Sequence, residues 1–186
     1  MTAEDRARRV KVLLFDVDGV LTDGRITVLP GEDGRWTEVK SFSAHDGLGM
    51  SLARMGGLRL GIVTKRQTSA VAIRARDLRM EFVYQGQHHK LRTVEEIAIR
   101  AGVGMEAVAF VGDDIVDLPV MRRCGLAVAT ANARPEVKRE AHWVTEHGGG
   151  DGAGRDAIDF ILRAQGSLER VVREYMEGEN AAGELR

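Results

Sequence analysis

The stretch that decides the fold is LLFDVDGVLTDG, from Leu13 to Gly24. In it an apolar run ends in two aspartates, Asp16 and Asp18, which are one residue apart, and a glycine follows at once. Short apolar runs of this kind are typical of strands that are buried on both faces, as in parallel sheets. Two carboxylates at the end of a buried strand contribute nothing to packing, so this stretch predicts a functional site.

Further short apolar runs alternate with helical patterns along the chain. The predicted strands cover residues 10–17, 59–64, 81–85, 107–113, 125–130 and 141–145, and the helical patterns cover 44–56, 67–78 and 92–102. Strands that alternate with helices of this length imply right-handed crossovers. We therefore expect an α/β fold, a doubly wound (Rossmann-like) parallel sheet with helices on both faces, in a single domain of residues 1–186.

Two segments depart from this alternation. Residues 25–42 contain two β-like arms around the turn signal PGEDG (30–34), which predicts a β-hairpin flap. The glycine cluster 148–154 predicts a flexible lid or linker. An amphipathic helix follows it, and the C-terminal tail, 166–186, has a second helical pattern at 167–176 and is expected to fray from about Glu177.

Composition restricts the function classes. The 186 residues are 44% hydrophobic and 30% charged with a net charge of −1, which offers no electrostatic case for nucleic acid. The single cysteine, Cys124, allows no internal disulfide, and no apolar run approaches the roughly 20 residues of a membrane helix. The N-terminal residues lack the pattern of a secretory signal. We expect a cytoplasmic protein without a membrane or nucleic-acid partner.

In open parallel sheets, ligands bind beyond the carboxyl ends of the strands. The residues that the predicted strands and the loops after them bring to this edge are Asp16, Asp18, Thr64, Lys90, Asp113, Asp114 and Asp117. Five carboxylates against one ammonium leave a net charge of −4, and each like-charged pair at 4 Å costs on the order of 4 kcal/mol at an effective dielectric of 20. Either a cation sits among them or some of the carboxyls are protonated, and for a cation the oxygen ligands favour a hard ion, Mg²⁺. The histidines show no zinc-ligand spacing.

Two aspartates spaced D-x-D can divide the work of a phosphoryl transfer. Asp16 can attack phosphorus and form an aspartyl-phosphate, and Asp18 can protonate the leaving oxygen and then activate water. Mg²⁺ neutralises the repulsion between nucleophile and phosphate. Thr64 and Lys90 then supply a hydroxyl and a positive charge to the phosphoryl oxygens.

These residues resemble the four motifs of the haloacid dehalogenase superfamily and occur in the same order along the chain as in that superfamily. The motifs are DVDGVLTDG, Thr64, Lys90 and GDDIVD. Together with FSAHDGLG, YQGQHHK and GGGDGAGRD, they are similar to the 3-deoxy-D-manno-octulosonate 8-phosphate phosphatase family over residues 10–166. The resemblance implies a Mg²⁺-dependent phosphatase, a homotetramer and a role in lipopolysaccharide biosynthesis.

The resemblance also implies residue roles. Mg²⁺ is expected on the Asp16 carboxylate, the Asp18 backbone carbonyl and Asp113, with Asp114 and Asp117 orienting Lys90 and the metal's waters. Arg66 is expected to contact the carboxylate of the sugar acid. The family usually has glycine where this chain has Lys65, which puts the fit of the substrate in question.

No cap domain is expected, because the segments around the second motif are too short for one. Instead, hairpins of neighbouring subunits are expected to join, and a neighbour's tail with Gly149, Gly150 and Arg155 to reach over the site. Three further positions have two interpretations. His45 and Asp46 either face the substrate or cap a helix, and Arg155 either faces the substrate or is a helix-start residue.

Three alternatives remain open. The first is a phosphatase of a nine-carbon sialic-type acid 9-phosphate, although Arg66 favours the eight-carbon acid within the family. The second is a signalling receiver, in which nothing would play the part of Asp18. The third is a non-catalytic oligomerisation module, although this chain keeps every catalytic position.

Overall fold

The structure of the protein, a computed structural model, describes residues 1–31 and 34–184. The strands are β1 (Val12–Phe15), β2 (Thr27–Pro30), β3 (Trp36–Val39), β4 (Arg59–Val63), β5 (Phe82–Tyr84), β6 (Val108–Gly112), β7 (Leu126–Ala129) and β8 (Trp143–Val144). The helices are α1 (Ala3–Ala7), α2 (Ala44–Met55), α3 (Ser69–Asp77), α4 (Lys90–Ala101), α5 (Leu118–Met121), α6 (Pro135–Glu140), α7 (Ala153–Ala164) and α8 (Leu168–Glu184).

The predicted parallel sheet is confirmed. In the described part of the chain, six strands pair in parallel in the order β5-β4-β1-β6-β7-β8. The chain leaves β1 toward β4 and β5 and then returns to the other side of β1, so the order reverses beside the first strand. A reversal of this kind opens a crevice at the carboxyl ends of the strands.

The β1 strand is apolar throughout because both of its faces are covered. Leu13 and Phe15 belong to the core beneath α1, α2, α3, α7 and α8. Val12 and Leu14 belong to the second core beneath α4, α5 and α6. Successive side chains of a strand point to opposite faces, so a continuous apolar run is what a doubly wound sheet requires.

The predicted hairpin is also present. The β2 and β3 strands pair antiparallel, with Thr27 opposite Val39 and Pro30 opposite Trp36. Glu32 and Asp33 of the predicted turn lie outside the described residues. Within residues 16–31 and 34–81, only this hairpin, α2, β4 and α3 separate the first strand from β5, so the described chain has no cap domain.

The end of the chain differs from the prediction. Helix α8 continues to Glu184, so the expectation that the chain frays from Glu177 is wrong. The short helices α1 and α6 escaped sequence analysis, and α1 begins with a capping box in which Thr2 and Asp5 exchange hydrogen bonds. No helix among the described residues is long and apolar enough to span a bilayer.

Candidate active site

The carboxyl edge of the sheet gathers residues from three adjacent strands. Phe15 of β1 lies opposite Ile62 of β4 and Val111 of β6. The residues that follow these positions at the same edge are Asp16, Thr64 and Asp113. The parallel register therefore places the first, second and fourth motifs together.

Asp16 is buried and held on both carboxylate oxygens. Its Oδ2 lies 2.7 Å from Nζ of Lys90, and its Oδ1 accepts a hydrogen bond of 2.7 Å from the backbone N–H of Val17. Burial and the charge of Asp117 raise the pKa of Asp16 to about 6, against the lowering effect of Lys90. The carboxylate is thus fixed in one orientation in a poorly solvated place.

Lys90, the first residue of α4, is buried between two carboxylates. Its Nζ also donates to Oδ1 of Asp117 over 2.7 Å. Burial alone lowers the pKa of Lys90, but the charges of Asp16 and Asp117 raise it above its ordinary value. The other oxygen of Asp117, Oδ2, accepts from the backbone N–H groups of Asp113 at 3.0 Å and Asp114 at 3.4 Å. Asp117 therefore ties the lysine to the loop after β6.

Asp113 carries an unpaired oxygen. Its Oδ1 is buried, and no residue in the described part of the chain gives it a hydrogen bond. Burial, followed by the charges of Asp117 and Asp16, raises the pKa of Asp113 to about 8. An unpaired oxygen in a crowded acidic pocket is the feature that a divalent cation would satisfy.

The donor set fits Mg²⁺. Oxygens of Asp16, Asp113 and Asp117 lie within 4.8 Å of one another. Asp117 is the weakest ligand of the three, since it is fully buried and already accepts three hydrogen bonds, one from Lys90 and two from backbone amides. Asp16 and Asp113 remain, and carboxylate oxygens without sulfur or imidazole are the ligands that Mg²⁺ prefers.

Asp18 belongs to a second charged group on the hairpin side. Its Oδ1 pairs with Lys40, whose side chain is 1% exposed. Lys40 also lies 2.9 Å from Oε1 of Glu38. Arg66 reaches both acids, with Nε 3.5 Å from Asp18 and a guanidinium N–H donating to Glu38 over 2.5 Å. The hairpin therefore places an ammonium beside the predicted acid and base.

Sequence analysis missed Glu38 and Lys40. The signal was available in WTEVK, because residues two apart on a strand point to the same face. A Glu–Lys pair on one face of a hairpin indicates a charged face, but the pattern does not say which residues that face meets.

The structure gives Asp114 a different role from the expected one. Its exposed carboxylate accepts from the backbone N–H of Ile115 over 2.7 Å and caps the 3₁₀ turn Ile115–Asp117. Of Asp114 and Asp117, only Asp117 contacts Lys90. A side chain that is turned back onto its own loop does not reach the lysine.

Asp46 lies away from the acidic edge. It is buried on α2, and its Oδ1 accepts from the backbone N–H of Arg155 over 2.8 Å at the start of α7. Of the two interpretations of this residue, helix capping fits the contact, although the helix is α7 and not its own. The contact joins two helices that pack on the same face of the sheet.

His45 and Arg155 line a groove of about 360 Å³ together with His147, and none of these side chains contacts the acidic cluster. Arg155 forms an ion pair with Asp159, with Nε 2.8 Å from Oδ1. Within this chain the structure therefore does not bring His45, Asp46 and Arg155 to the predicted magnesium site.

The glycine cluster is a packed element, and the expectation of a flexible lid is wrong. Gly149 is buried, and a methyl group on it would lie 2.0 Å from the carbonyl oxygen of Gly19. The N–H of Gly150 donates to the carbonyl of Val20 over 3.2 Å. Gly149 and Gly150 are thus committed to the first motif of their own chain and not to a neighbour's site.

Lys65 causes no backbone strain in place of the family's glycine. Among the described non-glycine residues, only Arg79 has a positive φ, so Lys65 occupies an ordinary conformation. Its side chain is exposed beside Arg66. The substitution therefore adds a positive charge at the mouth of the site without altering the path of the chain.

Comparisons with known proteins agree with this geometry. A family model for haloacid dehalogenase-like hydrolases matches residues 62–155. The 3-deoxy-D-manno-octulosonate 8-phosphate phosphatase of Escherichia coli is 39% identical over 164 residues, which cover 88% of this chain and 85% of that protein.

Two solved structures show the same fold. A probable phosphatase from Pseudomonas syringae superposes with a TM-score of 0.88 at 41% identity, covering 94% of this chain and 97% of that one. The 3-deoxy-D-manno-octulosonate 8-phosphate phosphatase of Moraxella catarrhalis, solved with magnesium, phosphate and the sugar acid, superposes with a TM-score of 0.87 at 31% identity, covering 93% and 97%.

Proposed function

The chain belongs to the 3-deoxy-D-manno-octulosonate 8-phosphate phosphatase family of haloacid dehalogenase-like hydrolases, and from that premise we propose that it hydrolyses this sugar-acid phosphate to the free acid and phosphate, as a phosphoric monoester hydrolase that requires Mg²⁺. One observation carries the proposal. Asp16 is fixed by Lys90 at the carboxyl edge of the sheet, beside an Asp113 oxygen that has no hydrogen-bond partner among the described residues.

The residues divide the reaction as follows. The Asp16 carboxylate attacks phosphorus, the bond to the sugar oxygen breaks, and Asp18 delivers a proton to that oxygen. Asp18 then takes a proton from a water molecule, which attacks the phosphorus of the aspartyl-phosphate, releases phosphate and restores Asp16. Lys90 and the hydroxyl of Thr64 stabilise the charge on the phosphoryl oxygens.

Asp16, Asp113 and the backbone carbonyl of Asp18 would hold the magnesium ion. When bound, the ion would neutralise the charges of the carboxylates and the phosphate and would polarise a phosphoryl oxygen. Asp117 holds Lys90 and the loop of Asp113 in place, as partners behind a metal site generally do.

Substrate selection in this proposal depends on Arg66. Its guanidinium is 42% exposed and is held between Asp18 and Glu38, so it can turn toward a carboxylate that enters the site. The relatives from Escherichia coli and Moraxella catarrhalis are named as phosphatases of the eight-carbon acid 8-phosphate, and no observation favours the nine-carbon acid or a non-catalytic role. His45 and Arg155 remain candidates for substrate contact only if their groove faces the active site of a neighbouring subunit.

We further propose a homotetramer assembled through the hairpin, with each chain, 1–186, acting as one phosphatase domain. Apolar side chains of the hairpin are exposed, including Trp36 at 69% and Leu29 at 53%. An exposed apolar hairpin with open edges needs a partner. Action in the cytoplasm and in lipopolysaccharide biosynthesis is likewise proposed, from the relatives' substrate and the sparse use of cysteine.

Phosphate release from a panel of sugar phosphates, with and without Mg²⁺, tests the function. We expect 3-deoxy-D-manno-octulosonate 8-phosphate to have the highest kcat/KM, with no turnover in the presence of a chelator. Faster hydrolysis of the nine-carbon acid 9-phosphate would overturn the proposed substrate assignment, and turnover without a metal ion would overturn the proposed mechanism.

A further inference from the structure

The most unusual contact outside the catalytic residues joins the glycine loop, defined as residues 148–152, to the turn of the first motif, residues 17–23. Gly149 has no room for a side chain, because a methyl group there would lie 2.0 Å from the Gly19 oxygen and 2.6 Å from the Thr22 oxygen. Neither the metal site nor the proposed reaction uses the glycine loop directly. Its close packing therefore needs an explanation of its own.

Asn132, in the loop after β7, connects these two segments with one side chain. Its Nδ2 donates to the carbonyl oxygen of Gly19 over 3.0 Å, and its Oδ1 accepts from the N–H of Gly149 over 2.5 Å. The hydroxyl of Thr130 donates to the same Gly19 oxygen over 3.4 Å. The amide orientation is unambiguous, since one neighbour is a carbonyl and the other an N–H group.

Gly19 in turn borders the metal ligands. It follows Asp18 directly, and its φ of +84° is a conformation that glycine adopts without strain. A methyl group on Gly19 would lie 2.0 Å from Oδ2 of Asp113, so its backbone lies against that carboxylate. Asn132 holds the Gly19 carbonyl, in the peptide that follows the one with the Asp18 carbonyl, so it restrains the turn that sets both the direction of the Asp18 carbonyl and the space beside Asp113.

We propose that Asn132 is a positioning residue for magnesium binding, because it bridges Gly19 and Gly149 and so fixes the turn that presents the Asp18 carbonyl next to Asp113. The glycine loop is the rigid support on which this bridge rests. The inference deepens the proposed function and depends on it only for the identity of the ion.

The test compares Asn132→Ala with Gln165→Ala. Asn132 is exposed, so its truncation opens no cavity. Gln165 is a matched control, because its Nε2 also donates to a backbone carbonyl, that of Val10 over 2.8 Å, but at the amino end of β1. Isothermal titration with MgCl₂, in the absence of substrate, measures the dissociation constant of the purified protein.

We expect Asn132→Ala to raise the Mg²⁺ dissociation constant by about tenfold or more, in the range that partners behind metal ligands show. Its turnover at a limiting Mg²⁺ concentration should fall together with the weaker Mg²⁺ affinity. Gln165→Ala should leave the dissociation constant unchanged. A purely structural role for Asn132 would lower the melting temperature without moving the Mg²⁺ affinity.

Asn132→Leu provides a second variant if the alanine variant does not fold. It has about the size of the parent side chain and removes both the donor to the Gly19 oxygen and the acceptor for the Gly149 N–H without adding a charge, so the same weakening is expected. A folded variant of either kind with parental Mg²⁺ affinity overturns the proposal. Because the titration contains no sugar phosphate, a failure of the proposed substrate would leave this result interpretable.

Discussion

The ammonium of Lys90 lies 2.7 Å from Oδ2 of Asp16, although the two residues are on different elements, one at the start of α4 and the other after β1. Both side chains are buried. A buried ion pair contributes little net stability, but it fixes the orientation of its partners, and removal of one partner is costly. The pair is therefore best understood as a contact that holds the proposed nucleophile in place.

Replacement of Asp16 by asparagine should abolish turnover, because the amide does not attack phosphorus. We expect a fall in kcat of at least about 10³-fold with an unchanged circular dichroism spectrum. Phosphate release at saturating Mg²⁺ is the measurement. Asp77→Asn, an exposed aspartate at the end of α3, is the control and should keep full activity. Substantial turnover by Asp16→Asn would refute the nucleophile.

Lys90→Met should destabilise the protein as well as inactivate it. The substitution leaves Asp16 and Asp117 buried without their cation, and loss of one partner of a buried pair costs about 3–5 kcal/mol. Urea unfolding without Mg²⁺ measures this cost. Lys11→Met, at an exposed lysine, should change the free energy of unfolding by less than about 0.5 kcal/mol. Equal stabilities of the two variants would contradict the structural account of Lys90.

Asp113→Asn should have opposite effects with and without magnesium. Burial and the neighbouring acids raise the pKa of Asp113 to about 8. Without the ion, the substitution removes this unfavourable carboxyl, so the melting temperature should rise, by roughly 2–4 °C for each kcal/mol gained in the free energy of unfolding. With Mg²⁺, the parent should gain stability and the variant should not. Thermal scans with EDTA and with MgCl₂ decide this, and a full magnesium response in Asp113→Asn would remove Asp113 from the metal site.

The buried Asp46 should make stability depend on pH. Burial raises the pKa of Asp46 to about 6. Its unfolded value is about 3.9, so between about pH 4 and pH 6 the native state binds more protons than the unfolded state. The stability that this carboxyl contributes is therefore present below pH 4 and is lost as the pH rises to 6.

Asp46→Asn provides the measurement for that effect. The free energy of unfolding of the parent, minus that of Asp46→Asn, should fall by up to about 3 kcal/mol between pH 4 and pH 7, because two pKa units correspond to about that energy. Urea unfolding at four or five pH values gives the curve, and the subtraction cancels the other titrating groups. A difference that is independent of pH would show that Asp46 does not titrate in this range.

A charge on the hairpin should separate the subunits. We expect Leu29→Asp with Trp36→Asp to convert a tetramer into smaller species in light scattering, and to raise the KM for the sugar phosphate. Ile99→Asp, at an α4 side chain that is 77% exposed, is the control and should leave the assembly intact. A parent protein that is a selective monomer would contradict both the assembly and its role in substrate selection.

Much of the fold could be predicted because its signals are local. Leu13 and its neighbours form a run that is apolar at every position, and only a strand covered on both faces accounts for such a run. The spacing of Asp16 and Asp18, the threonine at the end of β4 and the GDD sequence after β6 each lie within a few residues of a strand end. A parallel sheet brings such ends together whatever else the chain does.

The errors share a physical cause. The glycine cluster is typical of a flexible segment because glycine permits many conformations, but glycine also permits the closest approach of two backbones, and composition does not distinguish the two uses. The fraying expected from Glu177 rests on its nearness to the C-terminus, where the last residues of domains are usually poorly ordered. The contact between Asp46 and α7 was absent from the prediction because its partner is a backbone amide, which carries no mark in the sequence.

The sequence by itself determined the doubly wound sheet, the order of the motifs and the acidic edge, since hydrophobic periodicity and strand-end residues are properties of short segments. Only the tertiary structure decided which groups support that edge. Lys40 beside Asp18, and Asn132 between Gly19 and Gly149, are contacts between distant parts of the chain, and Asn132 is 113 residues from Gly19. Contacts of this kind depend on how helices and loops pack onto the finished sheet, and no local pattern encodes that geometry.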